Sequence, residues 1–118
     1  MDSIQREQFD HIGVITEEPQ GAETWVEATR VWVTSPRGHS HHVEFLRFES
    51  DTPVTGPLRT EPHVAYRVAN LEAAIGDDEV LLAPFTVGEG FARVAFVRVD
   101  GALIEYMEYA DPNERGWF

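Results

Sequence analysis

The sequence contains the same pattern twice. Asp10-His11-Ile12-Gly13-Val14 lines up with Pro62-His63-Val64-Ala65-Tyr66, and His42-Val43-Glu44-Phe45-Leu46-Arg47-Phe48 lines up with Leu103-Ile104-Glu105-Tyr106-Met107-Glu108-Tyr109. A repeat of this length restricts the fold strongly, because each copy must be one supersecondary unit that cannot bury its apolar face alone. In each copy a histidine opens the unit and a glutamate lies on its last strand.

Period-two alternation identifies the strands. Phe9 to Thr16 reads as one, followed by a polar turn at 17–21; Thr24 to Thr34 reads as a long extended stretch, and His42 to Phe48 alternates again before a loop at 50–56 containing Pro53 and Gly56. The second copy opens with a strand from His63 to Val68. Asn70 then supplies an N-cap for a short helix through Leu71, Ala73, Ala74 and Ile75, ended by Gly76. Three more strands are predicted at 79–83, 91–99 and 102–109, the last two joined by Asp100-Gly101, a strong hairpin signal. The tail 111–118 reads as a loop. No equivalent helix is expected in the first copy, because Pro19 and Gly21 limit residues 17–23 to a turn.

Composition narrows the chemistry. With 118 residues, 42% hydrophobic, the chain is about one domain long and able to build a core. It has no cysteine, so disulfides and thiolate metal sites are excluded and any metal must be held by nitrogen and oxygen. The charge of −12, with 9 basic residues that are all arginine against 21 acidic ones, repels phosphate backbones and anionic lipid. Neither nucleic acid nor a membrane is therefore an expected partner. The N-terminus, with Asp2 and Glu7, lacks the regions of a signal peptide, and no apolar run is long enough to span a bilayer, so a soluble cytoplasmic protein is expected.

The four repeat residues interrupt apolar faces. Alternation puts His11 with Phe9, Gly13 and Ile15, Glu44 with His42, Leu46 and Phe48, His63 with Ala65 and Arg67, and Glu105 with Leu103 and Met107. Burying two carboxylates among such neighbours costs several kcal/mol each unless they are paired or bound to a cation. A shared divalent ion removes that cost. Two imidazoles and two carboxylates suit zinc, nickel, manganese, iron or cobalt better than an all-oxygen calcium cage, and the ligand types do not choose among those ions.

Taken in order, the Asp10–Val14 opening, Val43-Glu44-Phe45-Leu46, Pro62-His63-Val64-Ala65 leading into Asn70–Ile75, and Asp100–Glu105 resemble the vicinal oxygen chelate superfamily. Glyoxalase I, methylmalonyl-CoA epimerase, extradiol dioxygenases and bleomycin-resistance proteins belong to it. The resemblance covers about residues 9 to 109, better in the second half. It implies an α+β fold of two βαβββ modules, about 9–50 and 61–109 within one domain of 1–118, forming an open barrel-like mixed sheet with the first helix reduced. It also implies one metal ion held by His11, Glu44, His63 and Glu105. In such enzymes the metal polarises a carbonyl and stabilises an enediolate or enolate while a glutamate moves a proton; here Glu105 or Glu44 would take that role.

The leading expectation is thus a metal-dependent lyase or isomerase of the glyoxalase and epimerase type, acting on a small molecule with vicinal oxygens, and a homodimer as is common in this family. Two other readings stand beside it: a metal-free protein sequestering a cationic ligand in the bleomycin-resistance manner, and an iron-dependent dioxygenase. The chain is read as shorter than typical glyoxalases or epimerases, so their glutathione or coenzyme A contacts are not assumed for it. Arg67 is a candidate for a substrate carboxylate, with a structural salt bridge as the alternative. The run His39-Ser40-His41-His42 is expected to be a solvated loop, since Gly38 and Ser40 place it near a turn, with His42 the member best placed to face the site beside Glu44 as a proton shuttle.

Overall fold

The computed structural model describes residues 4–88, 90–111 and 113. Its elements are β1 (Phe9–Ile15), β2 (Thr24–Val26), β3 (Val31–Val33), β4 (Val43–Phe48), α1 (Pro57–Thr60), β5 (His63–Arg67), α2 (Leu71–Ile75), β6 (Glu79–Val87), β7 (Ala92–Val99) and β8 (Ala102–Tyr109). This is an α+β fold dominated by strand, with parallel and antiparallel pairs. Contacts divide it into two compact units, one of His11–His63 and one of the residues from Val64 on together with those up to Asp10.

The two units repeat one topology. In the first, the strand order is β2-β3-β4-β1, with β4 parallel to β1 and antiparallel to β3; in the second, β6-β7-β8-β5 repeats that order, with β8 parallel to β5 and antiparallel to β7. The sequence repeat is matched in register. Gly13 pairs with Glu44 on the parallel ladder of the first unit, and Ala65 pairs with Glu105 on that of the second. In both, the histidine stands two residues before the partner of the glutamate.

In the second unit α2 forms where Asn70 Oδ1 accepts from the Ala73 N–H, and Gly76 stops it at φ +50°. Leu71 and Ile75 of this helix are buried against Ala95, Val97 and Tyr106. The first unit has no such helix: residues 16–23 run without regular structure, as Pro19 and Gly21 predict, and its core is a small cluster of Val31, Val33 and Leu46. The Asp100-Gly101 hairpin is present with both residues at positive φ, 49° and 84°, the requirement of a type I′ turn.

Two expectations need correction, and one element was not anticipated. The stretch Thr24–Thr34 is not one strand but a hairpin: it reverses through 27–30, with Arg30 at φ +49°, and is closed by the Trp25–Trp32 pair at 5.0 Å between ring centroids. Thr29 and Arg30 there look suited to a strand; the tertiary pairing of the two tryptophans overrides that preference. After the loop at 50–56, α1 starts on Pro57, whose fixed φ favours a first helical position. β6 continues past Ala83 to Val87, tolerating Pro84 because two register shifts interrupt its ladder with β7. Most of the tail predicted as a loop, and the acidic N-terminal residue Asp2, lie outside the described residues. Among the described residues no helix is long and apolar enough to cross a membrane.

A candidate metal centre

His11, Glu44 and His63 come together inside the unit His11–His63, all buried, at 0%, 2% and 3% exposure. One ligand atom from each lies within 4.8 Å of the others. Strand alternation puts them there: His11 and Gly13 take the buried positions of β1, Glu44 and Leu46 those of β4, and His63 opens β5.

The separations decide what the cluster suits. Nε2 of His11 is 3.4 Å and Nε2 of His63 is 3.6 Å from Glu44 Oε1, and neither approach makes a hydrogen bond. Donors held ~2.1 Å from one ion at right-angled to tetrahedral spacing stand roughly 3.0–3.4 Å apart; both separations are longer than a hydrogen bond, the first at the upper end of that span and the second slightly beyond it. The two imidazoles meet edge to face, with centroids 5.5 Å apart. A buried carboxylate between two imidazoles is the chemistry of a divalent transition ion, and the three residues fit one.

Space for His63 is made by a glycine. A β-carbon on Gly13 would stand 2.5 Å from Nε2 and 2.6 Å from Nδ1 of the His63 ring, which no real contact permits. A glycine within a strand is the signal for this kind of close approach, and it was visible in the sequence without its meaning being assigned.

Glu105 lies in the other unit. It is buried at 3% exposure on β8, opposite Ala65 on one side and Phe96 on the other. Its position in the repeat is that of Glu44.

Arg67 makes the salt bridge that was weighed against a substrate contact. Its Nε–H donates to Asp10 Oδ2 at 3.0 Å, and its guanidinium lies 4.1 Å from the ring centroid of Tyr109. The Tyr109 hydroxyl donates to the same Asp10 oxygen at 2.8 Å. Burial, then the nearby Asp10 carboxylate, push the Tyr109 phenol well above its ordinary range. Asp10 thus holds Arg67 of β5 and Tyr109 of β8 together, a role that sequence reasoning did not assign.

His42 does not occupy the strand position expected of it. It is exposed, in a turn at φ +57° just before β4, and its carbonyl accepts from the Ile12 N–H. The left-handed backbone breaks the alternation that would have placed it on the Glu44 face. In the same turn the His41 N–H donates to His39 Nδ1.

No family profile and no curated protein matches the sequence. Among solved structures the chain is similar to hypothetical protein BH1468 from Bacillus halodurans C-125, with TM-score 0.64 and 21% identity over 90% of this chain and 96% of that one. It is also similar to methylmalonyl-CoA epimerase from Mycobacterium tuberculosis, with TM-score 0.63 and 14% identity over 94% of this chain and 93% of that one. At these identities the shared property is the fold.

Proposed function

We propose that this protein is a metal-dependent enzyme of the vicinal oxygen chelate superfamily, of the epimerase and glyoxalase type, moving a proton at a carbon next to a carbonyl in a small substrate with neighbouring oxygens. The observation that carries the reading is the buried His11, Glu44 and His63 set. The fold likeness to an epimerase agrees with it.

In this reading His11 and His63 offer neutral imidazoles and Glu44 a carboxylate to a divalent ion. A bound ion would supply Lewis-acid polarisation of the substrate carbonyl. The resemblance implies Glu105, the repeat equivalent of Glu44, as a fourth ligand, and one of the two glutamates would transfer the proton. Burial of the set keeps water from competing for that proton. A homodimer belongs to the same proposal, to be checked by light scattering.

The test is elemental analysis of protein purified without a metal-affinity column, with His39 and His41 both changed to Gln as a control for metal on the exposed turn. About one ion per chain in parent and control, with loss in Glu44→Gln, supports the reading; absence of metal from the parent after incubation with zinc, nickel, cobalt, manganese and iron(II) overturns it. Glu105→Gln tests the fourth ligand separately. A second reading has its own support, because two histidines and one carboxylate are also the ligand set of non-haem iron oxygenases. Oxygen uptake by the iron(II) form would favour it.

A further inference from the structure

The repeat shows what is missing from the first unit. In the second, α2 covers Ala95 on β7 and Ile104 and Tyr106 on β8. Carried through the matched registers, those positions correspond to Thr34, which continues the β3 ladder, and to Val43 and Phe45 on β4. Among the described residues no α-helix equivalent to α2 follows β1 to lie over these three. They instead form part of the wall of an open cleft of about 490 Å³, together with residues 20–24 and the turn bearing His39.

The cleft is held in shape by specific contacts. Glu23 accepts two hydrogen bonds from Arg47, 2.9 Å from Nε and 2.7 Å from Nη2, and Arg47 lies over the ring of Trp32 at 5.6 Å. The Phe45 N–H donates to Thr34 Oγ1 at 2.9 Å. His39 packs edge-on to Phe45, with centroids 6.1 Å apart, and its Nδ1 accepts from the His41 N–H at 3.0 Å. An imidazole whose Nδ1 accepts carries its proton on Nε2, so His39 is a hydrogen-bond donor.

We propose that this cleft is a second small-molecule site, separate from the metal centre, which binds an uncharged planar ring carrying a carbonyl acceptor. Its volume lies within the roughly 300–1,000 Å³ of small-molecule pockets. Val43 and Phe45 supply an apolar and aromatic surface for a ring, and His39 supplies the donor for its oxygen. An anion is disfavoured, because Arg47, next to the cleft, is already committed to Glu23 and the whole chain carries −12. Val43 and Phe45 alternate with Glu44 along β4, so a ligand here is on the opposite face of that strand from the metal ligands.

Benzamide is a suitable probe, titrated into the ¹⁵N-labelled full chain and followed by amide chemical shifts. The expected result is saturable shifts at Thr24, Thr34, Ser35, His39 and Phe45, half complete at about 1 mM or below, an affinity in keeping with so small a ligand. Gly21 lines the cleft at a place where an added β-carbon meets nothing within 4 Å, so Gly21→Phe should fold normally and weaken binding about tenfold or more by filling the space. His39→Phe, which keeps a ring and removes the donor, should weaken it about three- to tenfold, and benzoate should bind less well than benzamide. Stripping metal with a chelator should leave benzamide binding unchanged, so failure of this site and failure of the metal reading are distinguishable. No saturable shift up to about 10 mM, shifts confined to other residues, or unchanged affinity in Gly21→Phe would overturn the proposal.

Discussion

Gly13 and His63 occupy each other's space: the imidazole of His63 lies where a side chain on Gly13 would begin. The alanine variant tests what this contact is for. Gly13→Ala has to push the ring away, because the obstruction is a methyl fixed to a strand backbone, while the imidazole can rotate about its own bonds. The expected outcome is protein of unchanged far-ultraviolet circular dichroism that binds metal at least about tenfold more weakly than the parent, a loss of about 1.4 kcal/mol in binding free energy. Titration calorimetry with zinc or cobalt measures it.

The effect of Glu44→Gln on stability should change sign with metal. Without an ion, the Glu44 carboxylate is buried beside two imidazoles, and replacing it with a neutral amide of the same shape removes a desolvation cost. Chelator-treated Glu44→Gln should therefore melt at or above the temperature of the chelator-treated parent. Saturating metal at about a hundred times its dissociation constant stabilises a single-site protein by about 2.7 kcal/mol, so metal should raise the melting temperature of the parent and leave the variant almost where it was. Differential scanning calorimetry with and without metal shows both halves of this prediction.

Asp10, Arg67 and Tyr109 should control stability at alkaline pH. The folded Tyr109 holds its proton far above the ordinary phenol value of 10, because it is buried and donates to the Asp10 carboxylate. A raised value means that the stabilisation is fully present below about pH 10 and is lost as pH rises beyond it, where unfolded tyrosine ionises and the folded one does not. Urea midpoints should fall above about pH 10 in the parent, and this decline should be shallower in Tyr109→Phe. Asp10→Asn leaves Arg67 without its carboxylate partner and should cost about 1–3 kcal/mol at neutral pH, discounted because the Arg67 side chain keeps 29% of its surface exposed.

The wall of the cleft should loosen in acid. Arg47 holds the Glu23 carboxyl below its ordinary value of 4.5, chiefly through their hydrogen bonds. A lowered value means that the stabilisation is present above about pH 4.5 and is lost as pH falls through the folded value. The protection of the amides in residues 20–24, measured as exchange relative to the unstructured rate at the same pH, should therefore fall below about pH 4.5, and Glu23→Gln should show that lower protection already at neutral pH.

Periodicity and punctuation made much of the fold legible in advance. β1, β5, α2, β7 and β8 were predicted within a residue or two, since each has a strong local signal: alternation in the strands, Asn70 and Gly76 at the ends of the helix, Asp100-Gly101 at the hairpin. The Trp25–Trp32 hairpin was missed because its turn has no glycine, asparagine or proline and is held by a cross-strand ring contact. α1 was missed because a four-residue helix shows no periodicity. His42 was misplaced because a single left-handed residue changes the face of everything before it.

What the amino-acid order determined alone was the repeat and, with it, the place of a histidine on the opening strand and of a glutamate on the closing strand of each copy. Local rules suffice for this, because side chains two apart on a strand must share a face and a carboxylate among apolar neighbours must find a compensating charge. Only the tertiary structure decided that His63 is housed over Gly13, that Arg67 is held by Asp10, and that Thr34, Val43 and Phe45 border an open cleft where the second half has a helix. Each of these depends on which distant segments touch, and close packing sets that by volume and shape summed over the whole unit, quantities that no short stretch of sequence contains.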